Sequence, residues 1–414
     1  MKSKCLLIGL MLAVLMAACE TNGGDEWNLK EEDGLKDTLT IELVGHDTDS
    51  LLYRKIMAFA DRHPDLDVNV RRSAGLSITD FSSWILGGES SGDPPDILEL
   101  TPTQMKLYHH HGKIEELPIR ESEYQDHLIH SPDGYILGVK TKINPLVVYY
   151  NRDIFQRHGL ELPEEGWDWT RFEQIITTLK EKKENVYIFA TPYILEWLAM
   201  NRFGGRIADA DGMTFGGYLD SEEAVRAAEW IFWVNTRLDN YRSRNIMGRN
   251  THWPMPYDLI EDNMALAVNY AYYIESSGLK SYFDIHERNE RIELAPLPGG
   301  QDVTNTALIS GLAIHKASRN KEAALALIRY LLKESDDYLR DTVVQTHQWG
   351  ATAVLPSEGN QAWSIILREA ARSVPVTLAL NEGRQWVNQV SERRFYPLYN
   401  AMLSESSAKE VLER

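Results

Sequence analysis

Several short stretches carry residue types that could do chemistry. His109-His110-His111 offers imidazoles, but three consecutive helical residues point in three directions, so at most two could share one ion. Gly112 follows and closes that helix, and donors in a last helical turn have a simpler use against its free carbonyls. Gly88-Glu89-Ser90-Ser91-Gly92 has the G-x-S-x-G spacing of an activated serine, yet a helix ending in Trp84-Ile85-Leu86 precedes it and Gly-Asp-Pro-Pro follows. A nucleophile elbow needs a strand before and a helix after, so the match is taken as chance. Asp209 to Gly212 has the D-x-D-G order of a calcium loop without its later ligands. His286 to Glu290 ends in Glu where a zinc helix needs His. No metal or cofactor is therefore expected. A hydrolytic carboxylate pair could hide among 61 acidic residues, which leaves an exported glycoside hydrolase as an alternative, but no motif supports one and no enzyme is expected.

What remains is a chemistry of binding. Carbohydrates present apolar C–H faces that stack on flat rings, and hydroxyls that Asp, Glu, Asn and His hold. The chain has 11 Trp and 19 Tyr. Trp253 and Trp349 stand among polar, Pro and Gly neighbours. His46 and Asp47 end the first strand, and Glu99 lies near the end of a buried one.

These residues need elements to position them. Thr38 to Val44 alternates as a strand, Ser50 to Arg62 repeats apolar residues at helical spacing, and Val68 to Val70 starts a second strand. This βαβ opening predicts a parallel, doubly wound sheet with ligands at the carboxyl ends of its strands. Val147 to Tyr150 reads as a buried strand stopped by Asn151, a candidate N-cap for a brief helix ending near His158, with Gly159 as its left-handed terminator. Trp169, Phe172, Ile175, Ile176 and Leu179 predict a second, amphipathic helix. Ser221 to Trp233 predicts another, with Trp230 and Trp233 in its core.

The 414 residues exceed one ordinary core and suit two lobes. Met1 to Ala18 combines Lys2 and Lys4 with an apolar run too short to span a bilayer comfortably, and reads as an export signal. Leu15 to Cys19 looks like a lipoprotein processing site, with Cys19 acylated and 19–37 a flexible tether reaching up to about 60 Å. Loss of the signal removes Cys5, so no disulfide is expected, and takes the formal charge from -18 to -20. Such acidity disfavours nucleic acid and leaves membrane attachment to the lipid.

The succession Tyr149-Tyr150-Asn151, Asp153, Phe155, Gly159-Leu160, Pro163 and Trp167-Asp168 resembles the extracellular solute-binding proteins that feed sugars to bacterial ABC importers, the maltose-binding-protein-like group. Gly92 to Leu100, Gly112 to Leu117, Asn263 to Tyr270, Leu294 to Gly300, Ser310 to Ile314 and the Leu355-Pro356 loop are also similar to that family. Gly166 and Trp169 stand where the family usually has Thr and an acid, which weakens the cap expected there. The resemblance implies an α/β, periplasmic-binding-protein-like fold, with two doubly wound lobes joined by a multi-crossing hinge and the ligand cleft between them. On it, 38–143 and 306–350 form the first lobe, and 144–305 and 351–414 the second. Tyr270 replaces the Trp that stacks on sugar in the family, and Trp197 and Ser310 join the expected ligand-binding residues. A monomer is implied, held by its lipid on the outer face of the cell membrane, or in the periplasm if there is an outer membrane. Its partners would be a carbohydrate, with an oligosaccharide favoured, and ABC permease subunits. A non-sugar solute remains open, because fold alone does not choose the ligand.

Overall fold

The computed structural model describes residues 37–44, 50–73, 94–120, 124–188, 202–205, 217–218, 221–234, 257–271, 282–299, 305–335, 339–342 and 360–375. The expectations for the signal segment, Cys19, the tether before residue 37, the G-x-S-x-G stretch and the D-x-D-G turn lie outside them.

Strand β1 (Asp37–Val44) pairs in parallel with β2 (Leu66–Ser73) along its whole length. Helix α1 (Leu51–Arg62) joins them, capped by the Ser50 side chain, which accepts from Tyr53 N, and it buries Leu52, Ile56 and Phe59. The βαβ opening is thus present. Strand β3 (Ile97–Leu100), buried throughout, pairs in parallel with β1, and α2 (Pro102–His110) follows it behind a reciprocal Thr101–Gln104 cap. His109 and His110 form the last turn of α2, and Gly112 takes φ +64° just beyond it.

The Val147–Tyr150 strand is much longer than its composition suggested. It is the end of β5 (Ile136–Asn151), 16 residues that continue through Asn144 and Pro145. Residues Val139–Pro145 pair antiparallel with β9 (Asn305–Ile314), and Leu146–Tyr150 pair antiparallel with β7 (Leu266–Tyr270). Pro145 is the last β5 residue in the β9 ladder. A residue with no N–H fits there, where the strand changes partner. The main path runs β2-β1-β3-β9-β5-β7-β6, with β6 being Val186–Ile188. Strands β4 (Leu128–His130) and β8 (Ile292–Ala295) add to β5, and β10 (Ser373–Pro375) adds in parallel to β9.

Along β5 the partners therefore switch from one group of strands to another, and the cores switch with them. Before the switch, α1 and α8 (Lys321–Lys333) cover one sheet face with Leu39, Ile41, Leu43, Ile97, Leu312 and Ile314 beneath. Helix α2 covers the opposite face over Leu98, Leu100 and Leu137. After the switch, alternate β5 residues point to opposite faces. Leu146, Val148 and Tyr150 meet α3 (Arg152–Arg157), α4 (Trp169–Glu181) and α5 (Glu222–Phe232). Val147 and Tyr149 meet α9 (Gln361–Ala371), together with Ile143, Ala307 and Ile309 of the crossing itself.

Local chemistry sets these helices. Asn151 accepts from Asp153 N and Ile154 N to start α3, and Gly159 at φ +65° follows its end. Asp168 accepts from Arg171 N at 2.7 Å, so α4 has the cap that the departures at Gly166 and Trp169 were expected to weaken. One carboxylate suffices for that role. Phe172, Ile175, Ile176 and Leu179 are the buried face of α4, each worth about 1.5–3 kcal/mol on burial. Trp230 is buried in the core and Trp233 packs partly buried beside it.

Candidate functional site

The crossing of β5 and β9 is where charged side chains enter the sheet. A Cβ added to Gly311 would lie 2.2 Å from Val139 O, and one added to Gly138 would lie 2.5 Å from Leu312 O, so this close approach of the backbones requires glycine. The register shifts between Lys140 and Lys142, leaving Thr141 as the extra residue of a bulge opposite Gly311 and Ser310. Lys142 reaches Glu99 from there, Nζ to Oε1 at 2.7 Å.

Glu99 is 2% exposed and fully engaged. Its Oε1 also accepts from Ser310 Oγ at 2.6 Å, and its Oε2 accepts from Val44 N at 2.9 Å. Two residues read from the sequence as ligand contacts, Glu99 and Ser310, are thus brought together, and each bonds the other. Lys142 was missed, although a Lys-x-Lys pair inside an apolar strand was a visible signal. Lys140, its neighbour across the bulge, donates to Asp126 O at 2.8 Å, and burial lowers its pKa.

A second buried carboxylate stands at the other end of the crossing. Glu369, on α9, is 2% exposed. Asn305, the first residue of β9, donates to its Oε2 at 2.5 Å and to Leu146 O at 2.9 Å. Arg372 Nη2 lies 2.5 Å from Oε1. Burial raises the Glu369 pKa, and the bonds from Arg372 and Asn305 oppose that rise.

Tyr270 does not join this group. It is 5% exposed, packed with Leu146, Val148, Phe155 and Trp230, and burial pushes its phenol well above the usual value. Beside it Tyr149 donates to the Tyr270 carbonyl at 2.8 Å. Other aromatics of this region serve the core. Trp230 Nε1 donates to Glu173 at 2.8 Å, and the Arg202 guanidinium lies over the rings of Phe203, Trp230 and Trp169. His46, Asp47, Trp197, Trp253 and Trp349 lie outside the described residues.

Among the described residues no group of three or more His, Cys, Asp or Glu is arranged to hold a metal, and no helix is long and apolar enough to cross a membrane. His109 instead faces Glu116, Nε2 to Oε1 at 3.0 Å. At the crossing the Ser310 hydroxyl donates to a carboxylate that Lys142 and the Val44 amide also occupy. The charged groups there bind each other and the backbone, an arrangement that fixes geometry.

This fold has many solved relatives. An ABC substrate-binding protein of Listeria monocytogenes in complex with cycloalternan superposes with a TM-score of 0.63 at 17% identity, over 91% of this chain and 96% of that one. The GacH receptor of Streptomyces glaucescens, solved unliganded and with acarbose, gives 0.61 at 18% identity, over 92% and 96%. They are periplasmic-binding-protein-like α/β proteins, and this chain shares that fold. A multiple sugar-binding protein of Streptococcus mutans is 26% identical over 220 residues, which are 51% of this chain and 44% of the relative, so the match spans under half of that protein's length. Residues 46–337 match the family model described as bacterial extracellular solute-binding protein, a stretch that includes the whole β5–β9 crossing. The chain belongs to the family of bacterial extracellular solute-binding proteins.

Proposed function

We propose that this protein captures a carbohydrate, an oligosaccharide by preference, between two lobes that close on it, and delivers it to the permease of an ABC importer. The reading takes 38–143 with 306–350 as one lobe and 144–305 with 351–414 as the other. The observation that carries it is the double crossing, in which β5 and β9 run side by side through the point where strand partners and cores change. Two long strands at such a point bend more readily than two packed sheets deform. A ligand held between the sheets gains contacts to both only when they approach, so its differential affinity shifts the open and closed populations. Family membership and the sugar-binding names of the relatives support a sugar as that ligand. Acylation at Cys19 would keep the body at the outer face of the membrane. No bond is made or broken.

Calorimetry and thermal shift across mono- and oligosaccharides, with acarbose and cycloalternan included, test this reading. A saturable heat or a rise in melting temperature with one class is expected. A silent panel, or release of a sugar product from any member, sinks it. Radiolabelled palmitate incorporation that disappears in Cys19→Ser tests the anchor.

A further inference from the structure

We infer that Lys142 and Glu99 act as a pair of positioning residues, holding the last residue of β1 by both its backbone groups and thereby tying the end of β1 to both crossing strands. Val44 ends β1. Its N–H donates to Glu99 Oε2 at 2.9 Å, and its carbonyl accepts from Lys142 Nζ at 3.2 Å. The same two side chains pair with each other at 2.7 Å, and Ser310 on β9 donates to the carboxylate at 2.6 Å. Four elements therefore meet at one ion pair: β1 through Val44, β3 through Glu99, β5 through Lys142 and β9 through Ser310.

The placement argues against direct recognition of ligand by Glu99. Its side chain is 1% exposed and its oxygens already accept from an ammonium, a hydroxyl and an amide, which nearly fills a carboxylate's lone-pair sites. A solute hydroxyl arriving there would have to displace one of these partners. The carboxylate instead acts through Val44, a residue 48% exposed whose backbone is held from two sides. The bulge at Thr141 is what turns Lys142 toward this point, and Gly311 is what lets β9 lie close enough for Ser310 to reach it. A change in the path of β5 against β9 is felt directly at the exit of β1, where His46 and Asp47 follow in sequence. The claim about ligand affinity rests on the capture reading above. The claim about the backbone does not.

Residue-resolved hydrogen exchange on the full chain tests the backbone claim without any ligand. In Lys142→Met, the Val44 amide should exchange about tenfold faster, while those of β7 and α4 keep their rates. Lys142→Arg should restore most of the protection. Should Lys142→Met fail to fold with Glu99 left unpaired, the charge-free Lys142→Met/Glu99→Leu variant takes its place, with the same acceleration expected. Acarbose, the probe for the second arm, should bind about tenfold more weakly to the variant than to the parent. Unchanged exchange at Val44 overturns the inference, and so does acceleration spread equally over β7 and α4. Faster exchange with unchanged acarbose affinity makes Lys142 a stability residue and overturns positioning. If the parent binds no sugar, the capture reading fails instead, and exchange alone decides whether the pair holds Val44.

Discussion

Glu99 and Glu369 are both buried at the crossing of β5 and β9, yet they are neutralised from different places. The cation of Glu99 is Lys142, which sits on a crossing strand. The cation of Glu369 is Arg372, three residues along the same stretch of chain, so that pair keeps its charge balance however the strands run. The link from Glu369 to the strands is the neutral amide of Asn305. One end of the crossing is therefore held by a charge that depends on strand geometry, the other by a hydrogen bond that does not change the charge count. Movement of β5 against β9 should be costly at the Glu99 end and cheap at the Glu369 end, which places the more permissive bend near Asn305.

The largest test of this contrast removes the local cation. Arg372→Met leaves a carboxylate that is 2% exposed without its charge partner, and should lower unfolding stability by about 3–5 kcal/mol near neutral pH, read by urea denaturation. The loss should shrink as the pH is lowered and Glu369 takes up a proton. Loss of equal size at low pH would mean that Arg372 acts through packing. Next in size is Gly311→Ala, whose new Cβ would lie 2.2 Å from the Val139 carbonyl, a backbone atom that cannot swing away. A cost of about 1–3 kcal/mol is expected, with faster exchange in β5 and β9 together. A neutral result would show that the two strands can separate freely, and the contrast between their ends would lose its basis. Ser310→Ala should cost about 1–2 kcal/mol, because Lys142 and Val44 still serve Glu99.

Much of the scaffold around this crossing was legible because its signals are local. The caps at Asn151 and Asp168 and the apolar stripe of α4 are each set by residues within one or two turns. The length of β5 was hidden because only Val147 to Tyr150 has the composition of a buried strand, while Pro145 marks a change of partner within it. The site was legible as residue types and obscure as roles. Glu99 stands out as the one charge in Ile-Leu-Glu-Leu, but its partner Ser310 lies 211 residues away, and no local pattern says whether a buried carboxylate will meet a solute or a hydroxyl of its own chain. Asn305 and Glu369, 64 residues apart, carried no signal at all, since an Asn before a strand and a Glu late in a helix are ordinary surface choices. Tyr270 was placed by resemblance, and its burial reflects packing from α3, α5 and β5 that its own neighbours do not encode.

The smallest expected effect is a slope. Burial raises the pKa of Glu369 above its ordinary 4.5, against the opposing influence of Arg372 and Asn305. A carboxyl whose folded pKa lies above its unfolded value contributes stability that is fully present below the unfolded value and is lost as pH rises through the folded one. Melting temperature should therefore contain a component that declines upward from about pH 4.5, and Glu369→Gln should remove it while leaving the hydrogen bond from Asn305 an acceptor. The variant and parent curves should differ in steepness above pH 4.5 and run parallel below it. If Glu369→Gln leaves the slope unchanged, Arg372 has fully offset the burial of Glu369, and the two ends of the crossing are held by ion pairs of the same kind.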